Sequence, residues 1–346
     1  MKLAIVLFNL GGPDHVTSIE PFLFNLFNDK AIISAPQPIR WLLAKYISLR
    51  RAPVAAEIYA HLGGKSPLLD LTKQQAVAIN ANVKDKLGDN VEVQTFISMR
   101  YWHPMSDECA KNVKDFNPDH VVLLPLYPQF STTTTESSMK AWHKSAKKAG
   151  LKVKTSSICC YPKNEGFVDA IVENLWPQIE ETCFLGKPRV LFSAHGLPKK
   201  IIDGGDPYQW QVEQTALAVV KKLNLPALDW WVSYQSRVGP LEWIGPNTED
   251  EIERAGREKV PLIIVPIAFV SEHSETLVEL DIEYREVANK FGVPSYMRTA
   301  AVGIHPSFIN GLGDLVLDHI IDNLDVKCDG KQRICPKTHT RCICQE

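Results

Sequence analysis

Five carboxylates, Glu272, Glu275, Glu279, Glu283 and Glu286, recur every three or four residues, with His273 beside the first. At helical spacing they share one stripe, where like charges repel and raise one another's pKa. A solvated face would interleave Lys or Arg there, and Arg285 is the cation nearby. Two readings stand: an exposed acidic face, or a row of hard oxygen ligands that passes a hydrated cation along. A second candidate is His195, which follows the apolar residues Val190 to Phe192 and precedes Gly196. A neutral imidazole at a strand end can act as general base or metal ligand, although a lone histidine is more often structural. Arg100, before Tyr101 and Trp102, has the fork to clamp a carboxylate, and Trp243 has the face to stack on a flat ligand. The plainer readings are a surface charge and a core filler. The last group is Cys328, Cys335, Cys342 and Cys344, half of the eight cysteines, gathered in a polar tail. In a reducing compartment this suggests metal or iron–sulfur binding more than disulfides, with zinc, and His339 as a further ligand, the plain alternative.

Several chemistries are disfavoured. Ser193-Ala194-His195-Gly196 is not the G-x-S-x-G nucleophile elbow, Asn9 to Pro13 is not G-x-G-x-x-G, and there is no G-x-x-x-x-G-K-[ST]. A net charge of −2 without a basic, aromatic-interleaved stripe argues against a nucleic-acid partner. Hydrophobic content of 45% with 23% charged residues is that of a soluble globular protein, and 346 residues favour two domains. The run Leu3 to Phe8 is too short for a signal peptide and lacks a cleavage site. No stretch reaches the roughly 20 apolar residues of a membrane span. A cytoplasmic protein with reduced cysteines is expected.

The elements that must position these residues form an internal repeat. Lys2 to Pro13 and Arg189 to Pro198 both read as strands ending in a Gly/Pro turn. Phe96 to Pro104 and Trp231 to Pro240 lead into Arg-bearing turns, and Val121 to Ser137 and Leu262 to Leu277 run into Ser/Thr or Ser/Glu turns. Helical stretches such as Asp70 to Lys86 and Gln211 to Leu223 separate them. Strands alternating with helices mean parallel sheets with right-handed crossovers. The expected fold is α/β, with two similar doubly wound, Rossmann-like domains. Their expected bounds are 1–160, with an insert at about 21–53, then 161–326, then a cysteine-rich tail at 327–346. In the insert, Ile39, Leu42, Leu43, Tyr46 and Ile47 make an apolar helical face flanked by Arg40, Lys45, Arg50 and Arg51. Such a helix lies on a membrane, rims a greasy pocket, or packs on its own domain.

Four motifs in one order resemble the ferrochelatase family, whose members insert ferrous iron into protoporphyrin IX in the last step of haem synthesis. They are Asn9-Leu10-Gly11-Gly12-Pro13; Ser193-Ala194-His195-Gly196-Leu197-Pro198; Tyr234-Gln235-Ser236-Arg237-Val238-Gly239-Pro240 with Trp243; and Glu272-His273-Ser274-Glu275-Thr276-Leu277 continuing to Glu279-Leu280-Asp281. The resemblance runs from about Leu3 to Leu324. It implies a chelatase-type fold with the porphyrin in a cleft between the two domains, where the macrocycle is bent. His195 then falls on the proton acceptor and Glu275 on the principal acid, the two also meeting the substrate iron. His273 and Glu279 fall on positions that shape the site. Leu10, Arg100, Tyr127 and Trp243 look like porphyrin contacts, and the insert matches an active-site lip that meets porphyrin and membrane. A homodimer is compatible with the family. In one bacterial subset a [2Fe–2S] cluster is held by an internal cysteine plus C-terminal C-x6-C-x-C. Cys335, Cys342 and Cys344 match that spacing, with Cys159 or Cys160 as the fourth ligand and Cys328 then spare, the alternative being a cluster held wholly by the tail with Cys328 as the fourth. The animal pattern is not matched, because its internal position reads Thr132 here. The rival readings are a cobalt or nickel chelatase acting on another tetrapyrrole, and a non-enzymatic haem- or metal-binding protein.

Overall fold

The alternating strands and helices form two parallel sheets in the computed structural model, which describes residues 1–237, 239–321, 325–329 and 332–344. Val238 of the third motif, Leu324 at the end of the resemblance, and Gly330, Lys331, Gln345 and Glu346 of the expected tail lie outside the described residues. The chain divides into unit 1 (Met1–Tyr127, Ser131–Cys159 and Gly313–Lys327) and unit 2 (Pro128–Phe130, Cys160–Leu312 and Cys328–Glu346).

Unit 1 is built on β1 (Lys2–Asn9), β2 (Glu92–Met99), β3 (His120–Pro125) and β4 (Lys154–Ile158), in the order β2-β1-β3-β4, with the short strand Val326–Lys327 beyond β4. Every pairing is parallel. Leu3 to Phe8 are fully buried, which is why β1 reads as an unbroken apolar run. At the edge, β2 alternates between buried and exposed residues over its first half. Unit 2 repeats the plan with β5 (Arg189–His195), β6 (Asp229–Gln235), β7 (Leu262–Pro266) and β8 (Tyr296–Arg298), in the order β6-β5-β7-β8 and all parallel. Parallel neighbours need long crossovers. The helix Leu68–Leu87 serves β1 to β2 and the helix Tyr208–Leu223 serves β5 to β6, close to the expected spans. The internal repeat is therefore a repeat of topology: one strand order, twice.

The division differs from the expected bounds at four places: Cys160 and the tail from Cys328 fall in unit 2, and two further segments change sides. Residues 313–327 return to unit 1, because Val326 and Lys327 pair with Ser157 and Ile158 of β4. The short segment 128–130 joins unit 2, where Gln129 donates to Thr215 Oγ1 at 3.0 Å and Phe130 N–H to Gln211 Oε1 at 2.7 Å. Both are pairings between distant stretches, which composition does not mark.

Parallel α/β sheets present ligands at the carboxyl ends of their strands. His195 is the last residue of β5, and its register partner, Gln235, is the last of β6. In unit 1 the corresponding partners are Asn9 and Met99, followed by Leu10 and Arg100, while Tyr127 follows β3. Behind β7, Leu191, Ile264, Leu280, Tyr284 and Ala288 share one buried cluster with Ile252 and Ala255 of the helix Thr248–Glu258. That packing depends on Gly256, where an added Cβ would lie 2.5 Å from the Phe291 carbonyl oxygen. Gly256→Ala is expected to destabilise the protein. Removing a helical glycine gains about 1 kcal/mol at most, whereas overpacking against backbone that cannot rotate away costs about 1–3 kcal/mol. Urea unfolding measures the balance, and a stabilised variant would contradict this account of the packing.

Candidate active site

His195 and Glu275 meet in unit 2. His195 Nδ1 lies 2.9 Å from Glu275 Oε2. An ionised carboxylate only accepts, so Nδ1–H donates and the neutral ring keeps its lone pair on Nε2. The His195 side chain remains 38% exposed and that of Glu275 27%. Gly196 holds the turn tight: its N–H donates to Gln235 O at 2.8 Å, and an added Cβ would stand 2.9 Å from that oxygen and 3.4 Å from Trp243 Cε3. Trp243 is thereby seated against the histidine's own loop. Tyr208 Oη donates to His195 O at 3.1 Å.

The pair sets the electrostatics. Burial alone would lower the His195 pKa, but the charge and hydrogen bond of Glu275, with the charge of Glu279 behind them, raise it. Burial would raise Glu275, yet His195 and its hydrogen bond, aided by His273, bring it down to about 2. His273 lies 3.9 Å from the same Glu275 oxygen, and its pKa is lowered because it is buried more than it is compensated. Two imidazoles on one carboxylate are thus driven apart, one towards the charged form and one towards the neutral.

The acidic stretch, expected as an α-helix, is a π-helix over Glu275–Glu283 that continues as the α-helix Tyr284–Phe291. Wide i→i+5 turns are rare and persist where outside contacts hold them. Glu279 supplies such contacts, accepting from Ser236 N at 2.9 Å, Ser236 Oγ at 2.6 Å, Gln235 Nε2 at 3.0 Å and Tyr284 Oη at 3.0 Å. Even so its pKa is raised, first by burial and then by the Glu275 charge. Ser236 makes both of its bonds from a left-handed backbone with φ of 63°, an uncommon state for serine that this carboxylate stabilises.

The carboxylates do not act as one stripe. Glu272 is paired with Arg298 at 2.9 Å, and Arg298 also pairs with Asp281 at 2.5 Å. Glu283 and Glu286 are exposed. The compensating cation missing from the local sequence arrives from β8. Glu275 and Glu279 remain as the carboxylates turned towards β5 and β6. Gln235 and Ser236 stood inside a quoted motif without a role, and nothing local marked Arg298 or Tyr208.

In unit 1, Leu10 packs with Ile19, Phe22, Leu23, Tyr59 and Tyr101. Arg100 is ion-paired with Asp29 at 2.7 Å and donates to Ser137 Oγ at 2.8 Å. Asp29, unmarked in the sequence, also accepts from Tyr101 Oη at 2.8 Å, and despite burial its pKa is lowered, chiefly by Arg100. Tyr127 is half-buried with its hydroxyl turned inward, and desolvation of that hydroxyl raises its pKa. The insert forms the helices Ile19–Phe27 and Gln37–Ala60. The second buries small Ala44 and Ser48, while Leu42 is 62% and Tyr46 60% exposed. Arg40 is committed to the carbonyls of Asn28 and Ala35, and Lys45 to Glu20 at 2.5 Å.

A third grouping in unit 2 is of thiols. Cys160, Cys328, Cys335, Cys342 and Cys344 are all buried, and none of the eight cysteines forms a disulfide. Cys335 hydrogen-bonds with Cys342 and Cys344 with Cys328, and each contact, with burial, raises the thiol pKa of Cys335 and of Cys344. The sulfurs of Cys328 and Cys342 lie within 4.8 Å. Cys328, expected to be spare, stands among the others. Cys159 is the last residue of unit 1 before Cys160. His339 packs against Trp210 with ring centroids 5.7 Å apart.

The profile of the family described as Ferrochelatase matches residues 2–320. A protein named Ferrochelatase from Rickettsia bellii is 50% identical over 346 residues, covering 99% of this chain and 95% of that one. Its namesake from Hyphomonas neptunium is 51% identical, with 99% and 94% covered. The one from Caulobacter vibrioides is 54% identical over 319 residues, with 92% and 90% covered. Among solved structures, SirB from Bacillus subtilis with Fe3+ aligns with a TM-score of 0.52 at 14% identity, covering 93% of this chain and 97% of that one. The sirohydrochlorin chelatase SirB from Bacillus subtilis subspecies spizizenii in complex with cobalt gives 0.51 at 13%, covering 92% and 95%. At those identities the likeness is one of fold, two parallel-sheet α/β domains of chelatase type.

The His195–Glu275 pair has a defined pH window. His195, raised in the fold, contributes stability that is complete below the ordinary 6.5 and is lost as pH rises through its raised value. Glu275 contributes above the ordinary 4.5, and that contribution is lost as pH falls towards about 2. The pair therefore stabilises fully between those ordinary values. In an NMR titration His195 should titrate above 6.5 and His273 below it. Glu275→Gln should lower His195. An unmoved His195, or one titrating below His273, would contradict the assigned pairing.

Proposed function

The chain belongs to the ferrochelatase family, and from that premise we propose that His195 and Glu275 carry the proton step of its reaction. It is an enzyme that inserts iron into protoporphyrin for haem synthesis. A porphyrin gives up two pyrrole N–H protons to accept a divalent metal, so the site must take protons where it also receives a cation. The observation that supports the assignment is the 2.9 Å contact from His195 Nδ1 to Glu275. It leaves Nε2 as the proton acceptor, and the imidazolium that forms is stabilised by a carboxylate already in place. Glu279, with its raised pKa, is a second carboxyl able to hold a proton nearer neutrality. His195 and Glu275 also offer nitrogen and oxygen ligands to the substrate iron before transfer, with His273 beside them. Leu10, Arg100, Tyr127 and Trp243 are read as porphyrin contacts. For Arg100 that means sharing its guanidinium between Asp29 and a substrate carboxylate.

Replacing His195 with Ala is expected to lower the rate of iron insertion by roughly 10²- to 10⁴-fold, the usual contribution of a general base. Porphyrin binding, followed by fluorescence, should persist. A variant that turns over at the normal rate would remove His195 from the proton step.

The thiols of unit 2 suit a [2Fe–2S] cluster, since crowded thiols that raise one another's pKa surrender their protons together when a cation binds. Cys335, Cys342 and Cys344, with Cys159 or Cys160 as the fourth, would hold it. When bound, such a cluster supplies a one-electron couple, and these four ligands would tie the tail to the body of the protein.

The outward apolar face of Gln37–Ala60 is read as a peripheral membrane contact; among the described residues no helix is long and apolar enough to cross a bilayer. Joint replacement of Leu42 and Leu43 by Asp should release the protein from anionic vesicles. Added salt should weaken binding through Arg50 and Arg51. Flotation unchanged by both treatments would count against a membrane contact.

A further inference from the structure

Gln211 is fully buried on the helix Tyr208–Leu223. Its Nε2 lies 3.3 Å from Cys160 Sγ and 3.1 Å from Cys335 Sγ. Its Oε1 accepts the Phe130 N–H at 2.7 Å. That last bond fixes which end of the carboxamide is which. Flipping the amide would set NH2 against a backbone donor and an oxygen against two sulfurs, leaving buried donors unsatisfied. The amide is therefore locked with both of its N–H groups on the sulfur side.

From this geometry we infer that Gln211 is a positioning residue for the cysteine-bound cluster, donating N–H···S bonds to Cys160 and Cys335 and raising the cluster's reduction potential. The inference rests on the iron–sulfur reading of these thiols. Its physical basis is general. A hydrogen bond to a thiolate sulfur withdraws charge from the metal and stabilises the reduced state, in which the sulfur is more negative. A carboxamide reaching one sulfur from the Cys160 segment and one from the tail also holds the two segments in register. Gln129 provides a built-in control. It is equally buried, donating to Thr215 Oγ1 at 3.0 Å and Ile267 O at 3.3 Å, with no sulfur contact among its described bonds.

The test uses the full-length protein purified anaerobically, with iron and acid-labile sulfide assayed first. About two of each per chain are expected for this cluster type. Gln211→Leu removes both N–H donors. Gln211→Glu removes them but keeps an acceptor for Phe130, and so remains readable if the leucine variant fails to fold. Both should lower the midpoint potential in a redox titration and raise the Fe–Sγ stretching frequencies in resonance Raman spectra. Gln129→Leu should lower Tm and leave potential and frequencies unchanged. Unchanged potentials in cluster-containing Gln211 variants would overturn the inference alone, as would an equal shift in Gln129→Leu. Wild-type protein without iron and sulfide would instead overturn the cluster reading, and this inference with it.

Discussion

A carboxylate held against an imidazole, both half-buried, is the constraint around which unit 2 is arranged. Burying Glu275 alone would drive it towards the neutral acid, and burying His195 alone would drive it towards the neutral base. Together they reverse both tendencies. That requires the last residue of β5 and a residue beyond β7 to meet at 2.9 Å. Parallel neighbours in a sheet end side by side, so the strand order itself brings the two within reach. The π-helix begins at Glu275, and the same irregular turns direct Glu279 to Ser236 and Gln235. Serine in a left-handed backbone and a rare helix type are local costs, and they concentrate where the chemistry is proposed.

The neighbouring charges are sorted by what each can do. Arg298 takes Glu272 and Asp281 out of play, and Asp29 does the same to part of Arg100. What remains near His195 is a carboxyl of low pKa and another of raised pKa, the kind of divergence that separates a permanent charge from a proton carrier. Of the acidic stripe, two carboxylates on adjacent turns are thus left facing β5 and β6.

Much of this was legible in residue order. Apolar runs ending in Gly, Pro or Ser turns marked the strands, and their threefold order marked the repeated topology. His195 stands out because it closes a buried strand next to a glycine, whereas Glu275 is singled out from its stripe by the resemblance to the ferrochelatase motifs and not by its spacing. Contacts between distant stretches were not legible. Nothing beside Arg298 announces that it answers Glu272, and nothing beside Gln211 announces sulfur. The return of residues 313–327 to unit 1 is set by a two-residue pairing with β4, too short to leave a pattern. The π-helix is illegible in the sequence for a related reason. Its turns are stabilised by the partners of its side chains, whereas spacing alone defaults to the α form. Likewise, the insert helix shows apolar periodicity, but the sequence does not say that its small residues face inward and its large ones outward.

The first turn of the helix Tyr208–Leu223 touches two sites at once. Tyr208 holds the carbonyl of His195, and Gln211 reaches the sulfurs of Cys160 and Cys335. Trp210, between them in sequence, packs against His339 of the tail. An α-helix turns by about 100° per residue, so inserting or deleting one residue between positions 208 and 211 would swing one contact away while the other stayed in place. The spacing within this turn is consequently a shared dimension of the molecule. The histidine loop and the cysteine tail cannot be redesigned separately without re-cutting the same three residues.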